Sequence, residues 1–353
     1  MKILALDLGK FKSVYCFGID DQPPVYGKTA TEGQSIHDLL VKLEPDRLVI
    51  EIGPSAGWVH DLAVALGLAV QTVNPNDERW HWKRVKEKSD RKDALKMYEL
   101  SRRGDLPLMP MPDAHTRQWR SLIRYRSNLV DRRTMVKNSI RAIFQMQGML
   151  LPKMDNAWTI QGLKQISRQA NDKPPVDQLW RLQLHSELTC LQSLEQQIEQ
   201  ITAQLDALGK ADRRVQRLQT APCVGPRLSE TVVAAIGDPR RFKNARQVGC
   251  YAGLTPRRWQ SGNSDRQGHI SRAGNRQLRK LLVEIGWIGV RNKTWMKNVY
   301  ENVRRGSDKR KKVAIVAVAR RLLVKLWAML RDGTDWKDPD PQKAMTLAMA
   351  TGG

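Results

Sequence analysis

Four carboxylates stand out by their position in the chain. Asp7, in ALDLGK, and Glu51, in IEIGPSAGW, each interrupt a short apolar run, whereas Asp90 and Asp93 sit three residues apart in KSDRKDALK. A lone carboxylate among apolar neighbours costs several kcal/mol unless a cation compensates it. Asp90 and Asp93, at a helix start, share one face and can reach a common ion. Without His or Cys, such hard oxygen donors suit Mg2+ or Mn2+, and two ions about 4 Å apart serve phosphoryl transfer. The structural alternative is that a lysine neutralises Glu51 and that the aspartates serve a helix N-terminus, where acids are favoured.

A second constellation lies at SGNSDRQGHIS, after GLTPRRWQ. Ser261 and Ser264 occupy a glycine-punctuated polar stretch ringed by Arg257, Arg258, Arg266 and Arg272, with Asp265 as the local acid. This reads as a flexible turn in which Gly262 and Gly268 let the backbone approach a ligand closely. A serine hydroxyl is a weak nucleophile, and His269 lies too far along to be a clear activating base. A metal-bound oxygen or a metal-polarised phosphate can supply the activation instead, with the arginines stabilising charge that develops in the transition state. An ordinary solvated loop is the alternative.

The elements that must position these residues follow from periodicity. KILALDLG and KSVYCFGI read as a β-hairpin, DRLVIEIG and AVQTVNP as further strands, and GWVHDLAVALGL as a helix. Ser89 is placed to cap a helix through SDRKDALKMYEL. This α/β alternation sets acids at the C-terminal ends of strands, where open sheets place their chemistry. A long helix is predicted over 114–147, carrying Arg117, Arg120, Arg124, Arg126, Arg132 and Arg133 among its cations. Leu191, Leu194, Ile198, Ile201, Leu205 and Leu208 alternate steps of three and four, a seam for self-association or for an intramolecular helix pair. TAPCVGPRLSETVVAAIGD reads as helix, turn, helix, and two apolar-striped basic helices follow.

Composition sets the partner class. The 353 residues carry 60 Lys+Arg against 36 Asp+Glu, for a net charge of +24, which calls for a polyanion such as nucleic acid. Residues 1–100 hold 14 basic and 15 acidic residues, and the remainder hold 46 and 21. The basic character therefore belongs to the body beyond residue 100. Four scattered cysteines suggest neither a disulfide framework nor a zinc site, and no secretion signal or apolar span is evident. The chain is expected to be soluble and intracellular, with no membrane partner.

Taken in order, the acids of the head resemble those of the ribonuclease-H-like nucleases, in particular the Holliday-junction resolvase RuvC. Together with IGDPRRFKNARQVGCYAGLTPRRWQSGNS and GHISRAGNRQLRKLL, they make the chain similar to the DEDD transposases of the insertion sequence 110 family. The resemblance implies a RuvC-like α/β domain over 1–113, a basic helical and coiled-coil region over 114–210, a mainly α-helical transposase domain over 211–335 and a tail over 336–353. It implies a metal site of Asp7, Glu51, Asp90 and Asp93 holding Mg2+ or Mn2+, and it makes Ser261 the nucleophile, with Ser264 its nearest rival. Acids and serine would join in one composite site that breaks and religates DNA through a phosphoserine bond. The implied partners are element-end and target DNA, a structured non-coding guide RNA and further copies of the chain, as a dimer assembling to a tetramer in a bacterial or archaeal cytoplasm. The arginines of 114–147 and those around Ser261 would contact nucleic-acid backbones. A RuvC-like junction nuclease that uses water, or a non-catalytic nucleic-acid-binding protein, are the alternatives.

Overall fold

A computed structural model of the chain describes residues 1–20, 22–74, 77, 89–151, 154–261 and 264–337. Pro75, the proline expected to close the third strand, and Gly262 lie outside the described residues, as does the tail beyond residue 337. Two compact units are present, Met1–Gln118 and Trp119–Gly353.

The first unit is built on five strands: β1 (Lys2–Asp7), β2 (Lys12–Ile19), β3 (Val25–Ala30), β4 (Arg47–Glu51) and β5 (Ala69–Val73). Their order in the sheet is β3-β2-β1-β4-β5. The first three strands form an antiparallel meander, and β4 and β5 add in parallel to β1. Side chains alternate across a strand, so the two faces are built from interleaved residues. Leu4, Leu6, Leu48 and Ile50 pack on α1 (Gly33–Leu43) and α2 (Ala56–Ala65). Ile3, Ala5, Val49 and Val73 instead pack on Ala94, Met97 and Tyr98 of α3 (Asp90–Arg103). The Ser89 hydroxyl caps α3 by accepting the Lys92 N–H at 3.4 Å, and Gly104, in the left-handed region, ends it.

Among its described residues, the second unit is helical apart from one hairpin. The long helix α4 (Ala114–Met146) begins just before the unit boundary; α5 (Ile160–Ser167) and α6 (Trp180–Ala211) follow. Leu129 of α4 meets Leu194 and Ile198 of α6, while Ile140 and Ile143 cluster with Leu184 and Leu191, so the two helices run antiparallel. The seam read from the sequence is therefore covered by α4 of the same chain. Polar contacts fix the register, with Arg126 Nε donating to Thr202 Oγ1 at 2.7 Å and Ser139 Oγ to Glu187 at 2.7 Å.

Next come α7 (Arg213–Gln219), α8 (Pro226–Ile236) and α9 (Ala245–Tyr251), the hairpin β6 (Pro256–Ser261) and β7 (Ser264–Ile270), then α10 (Arg276–Asn292), α11 (Thr294–Arg304) and α12 (Lys311–Asp332). The main core joins Trp119, Ile123 and Leu205 to α8, α10 and α12, with Val318, Ala319, Leu322, Leu323 and Leu326 of α12 fully buried. A helix apolar on so many sides has to be central. α8 is buried along Leu228–Ile236 and carries an acid within that run, Glu230.

Glu230 meets the Arg227 guanidinium at 3.1 Å, and its Oε2 accepts no hydrogen bond. Burial pushes its carboxyl up to about 7, against the opposing pull of Arg227 and Arg126. An unfolded glutamate titrates near 4.3, so between these values the native state holds the extra proton and stability falls as pH rises. Thermal unfolding should therefore give a higher Tm near pH 5 than near pH 8, and Glu230→Gln should narrow that gap. An equal gap in both proteins would show that Glu230 is ionised throughout.

Candidate functional site

The register of the first sheet brings two of the acids together. β1 and β4 pair in parallel with Leu6 opposite Ile50, and the next residues are Asp7 and Glu51. The two carboxylates thus lie level at the C-terminal ends of strands about 4.8 Å apart. Alternation sets both on the face that carries Ile3, Ala5 and Val49, the face covered by α3. Asp93, in the first turn of α3, is buried at 8 % exposure, whereas Asp90, in the same turn, is exposed. The expected pair therefore divides, Asp93 toward the core and Asp90 toward solvent.

A lysine accompanies these acids. Lys96, one turn after Asp93 and half-buried, feels both Asp93 and Glu51. Burial pulls its ammonium below the usual lysine range, and the two carboxylates oppose that pull. Asp7 and Glu51, at the C-terminal ends of two interior strands, and Asp93, on the helix over them, offer oxygen donors of the kind a hard divalent cation takes. Among the described residues, however, no three acidic, His or Cys side chains close around a common point as metal ligands do. Composition and placement fit a metal, and Lys96 is a cation that stands among the acids here. Sequence reasoning misses this residue, although its place one turn after Asp93 is visible in KSDRKDALK.

The stretch expected to be a flexible turn is instead the paired hairpin β6 and β7. Ser261 ends β6 opposite Ser264, and Trp259 pairs with Arg266. Arg258 holds Asp265 in a two-point ion pair, Nε to Oδ1 at 2.7 Å and Nη2 to Oδ2 at 2.6 Å. Gly268 has a reason of its own, because a Cβ there would come within 2.5 Å of the Trp259 ring. The ring lies across the glycine, which makes the hairpin ordered without a core of its own.

The arginines expected to meet nucleic acid divide into two sets. Arg117 pairs with Asp61, and Arg126 is spent on Thr202. Arg120 donates to the Ala234 carbonyl at 2.6 Å and to that of Ala235 at 3.2 Å. Arg257 donates to the Ser271 carbonyl at 3.4 Å. Arg124, Arg132, Arg266 and Arg272 are exposed, and Arg133 is half-exposed. Among the tryptophans of the second unit, Trp119 belongs to the core, Trp287 packs edge-on to Tyr300 at 5.8 Å, and Trp259 is 58 % exposed.

Comparison with known proteins joins the two units. A DEDD transposase family of the IS110 type matches residues 4–147, and the description "Transposase IS116/IS110/IS902 family" matches residues 215–301. The chain belongs to the IS110 family of transposases. It is 29 % identical over 345 residues to a probable family 20 transposase of Pseudomonas aeruginosa, covering 95 % of this chain and 98 % of that one. The transposase of insertion element IS1111A from Coxiella burnetii is 27 % identical over 344 residues, covering 94 % and 90 %. A pilin gene-inverting protein of Moraxella bovis is 32 % identical over 146 residues, covering 39 % and 44 %. Membership makes this an enzyme of DNA transposition, with a DEDD domain of the kind that works with a divalent cation. Among the described residues no helix is long and apolar enough to cross a membrane.

The electrostatics of Lys96 give a test. Lys96→Met removes the cation facing Asp93 and Glu51, so in EDTA the variant should unfold at a lower temperature than the parent, and added Mn2+ should recover much of the loss. A variant as stable as the parent in EDTA would show that the lysine does not hold these carboxylates together.

Proposed function

We propose that this transposase cleaves and rejoins DNA through Ser261 as nucleophile and a divalent-metal site made by Asp7, Glu51, Asp90 and Asp93, with target choice made by a structured non-coding RNA. The observation that carries this reading is the level register of Asp7 and Glu51 on the sheet face covered by α3, the helix that supplies Asp93. The sheet itself, an antiparallel three-strand meander extended by two parallel strands, supports a ribonuclease-H-like, RuvC-like fold for the first unit. Asp90, exposed in the same helical turn as Asp93, completes the oxygen set.

A bound divalent cation would polarise the scissile phosphate and ease loss of the serine proton. The Ser261 Oγ then gives up its proton and bonds to phosphorus, and the departing strand oxygen leaves as a hydroxyl. The phosphoserine ester keeps the energy of the broken phosphodiester. Attack by the hydroxyl of another strand rejoins DNA and returns the serine. Arg257, Arg266 and Arg272, on or beside the hairpin, would offset the negative charge that builds on the phosphate oxygens. Sequence is left to base pairing with the RNA, while the basic second unit grips backbones. The Moraxella relative, named for inverting a gene, is in keeping with cutting followed by religation. Further copies of the chain, as a dimer or tetramer, would assemble through surfaces other than the α6 seam, which α4 covers.

Protein isolated under denaturing conditions from cells carrying the element should retain covalently bound nucleotide. Ser261→Ala should abolish that adduct while leaving nucleic-acid affinity nearly unchanged, since it deletes one oxygen and no charge. Adduct persisting in Ser261→Ala and vanishing in Ser264→Ala would move the role to Ser264. Strand cutting without any adduct in the parent would favour water as the nucleophile. Purified protein should lose cleavage in excess EDTA and regain it with Mg2+ or Mn2+.

A further inference from the structure

The second unit contains a cavity of about 850 Å3 at the foot of the hairpin. Five cations line it, Arg246 of α9, Arg258 of β6, and Arg320, Arg321 and Lys325 of α12, and among the described residues no carboxylate does. Two of the five are engaged within the protein: Arg258 pairs with Asp265, and the Lys325 ammonium lies 5.1 Å from the centre of the Trp336 ring. Arg246, Arg320 and Arg321 are exposed, and none of them forms an ion pair among the described residues. The stem of Arg320 rests on Gly249, where a Cβ would stand 3.3 Å from its Cδ, so the absence of a side chain lets the guanidinium lean over the cavity.

Three unneutralised guanidinium groups turned on one concavity repel each other, and the field they focus there is relieved by an anion. The volume lies within the range of ligand sites and exceeds what one small ion needs. Guanidinium forks match phosphate oxygens in two-point contacts. The position of the cavity says which phosphate. Arg258 lies three residues before Ser261 on β6, a separation of about 10 Å along a strand. That is the axial rise of roughly three nucleotides of a duplex strand.

We propose that this cavity binds the phosphodiester backbone of the DNA strand that is cut, a few nucleotides from the phosphate offered to Ser261, with Arg246, Arg320 and Arg321 as the gripping residues. The proposal rests on the reading of Ser261 as nucleophile for the strand it names, but its binding component is measurable without any reaction. These arginines hold the strand in register and touch no reacting atom, so they are positioning residues.

The test uses the full chain in EDTA with a short fluorescein-labelled DNA duplex of mixed sequence, and RNA of the same sequence in parallel. Replacing Arg246→Gln, Arg320→Gln and Arg321→Gln together should flatten the slope of log affinity for DNA against log salt by about 0.9 for each phosphate no longer neutralised, up to about 2.7. The corresponding triple exchange to lysine should retain most of the slope. Cys250 lines the same cavity and is exposed, which supplies a probe that needs no variant. Bound DNA should slow alkylation of Cys250 by a maleimide several-fold in the parent protein and not in the glutamine variant. An unchanged slope for DNA, Cys250 alkylated equally fast with and without DNA, or protection by RNA alone would each overturn the proposal. If the glutamine variant fails to fold, the Cys250 measurement on the parent decides by itself. The result is independent of the covalent adduct, since a cavity that binds DNA in a protein whose adduct survives Ser261→Ala would keep this site and retire the serine assignment.

Discussion

Two carboxylates set level on neighbouring parallel strands repel each other, and the first unit is organised around that repulsion. The register that places Asp7 beside Glu51 also aligns Ile3, Ala5 and Val49 into the apolar floor on which α3 lies. Slipping β4 by one residue would turn Glu51 to the opposite face, among the apolar residues that pack on α1 and α2, and take Val49 out of that floor. Hydrophobic packing therefore holds together charges that would separate if free. α3 answers with both signs, bringing buried Asp93 and, one turn on, Lys96. Such an arrangement is costly without a cation, and Lys96 is one that the fold itself supplies.

The second unit treats charge differently. Its formal excess of basic residues overstates what it offers a polyanion, because many arginines serve as internal struts. Arg120 and Arg241 both donate to carbonyls at the end of α8, Arg279 donates to Ala252, and Arg227 is shared by Asp206 and Glu230. A guanidinium suits this work because it satisfies several carbonyls at once and stays charged at any physiological pH. Exposed basic side chains remain on α4, at Arg124 and Arg132, on the hairpin, at Arg266, and over the α9 and α12 cavity, at Arg246, Arg320 and Arg321, as well as on other elements of the unit.

Much of the first unit was legible in the sequence, because its strands are buried runs and its key helix has a hydroxyl cap. The hairpin of β1 and β2, the strands β4 and β5, and the extent of α4 to within one residue all follow from periodicity. β3 did not announce itself. It is a half-exposed edge strand of VYGKTA with little apolar alternation, defined by pairing to β2 rather than by its own composition. The stretch around Ser261 misled for a related reason. Glycines and polar residues normally mark turns, but here the order comes from cross-strand partners, Arg258 with Asp265 and the Trp259 ring over Gly268. Such partners have no linear signature. Nor could sequence separate Arg120, spent on a helix end, from Arg124, left in solvent, since both sit on the same basic helix.

The placement of α12 has a temporal consequence. It is the final helix among the described residues, and its Val318, Ala319, Leu322 and Leu326 share a core with residues made as much as two hundred positions earlier, at Trp119 and Ile123 of α4. During synthesis the first unit has its whole sheet and α3 once residue 103 has left the ribosome, and domains generally fold in that order. The second unit has an open groove until residue 326 emerges. A nascent chain therefore carries the acid-bearing sheet well before the core of the second unit can close. The burial of one late helix thus sets completion of the second core more than two hundred residues of synthesis after that of the first unit.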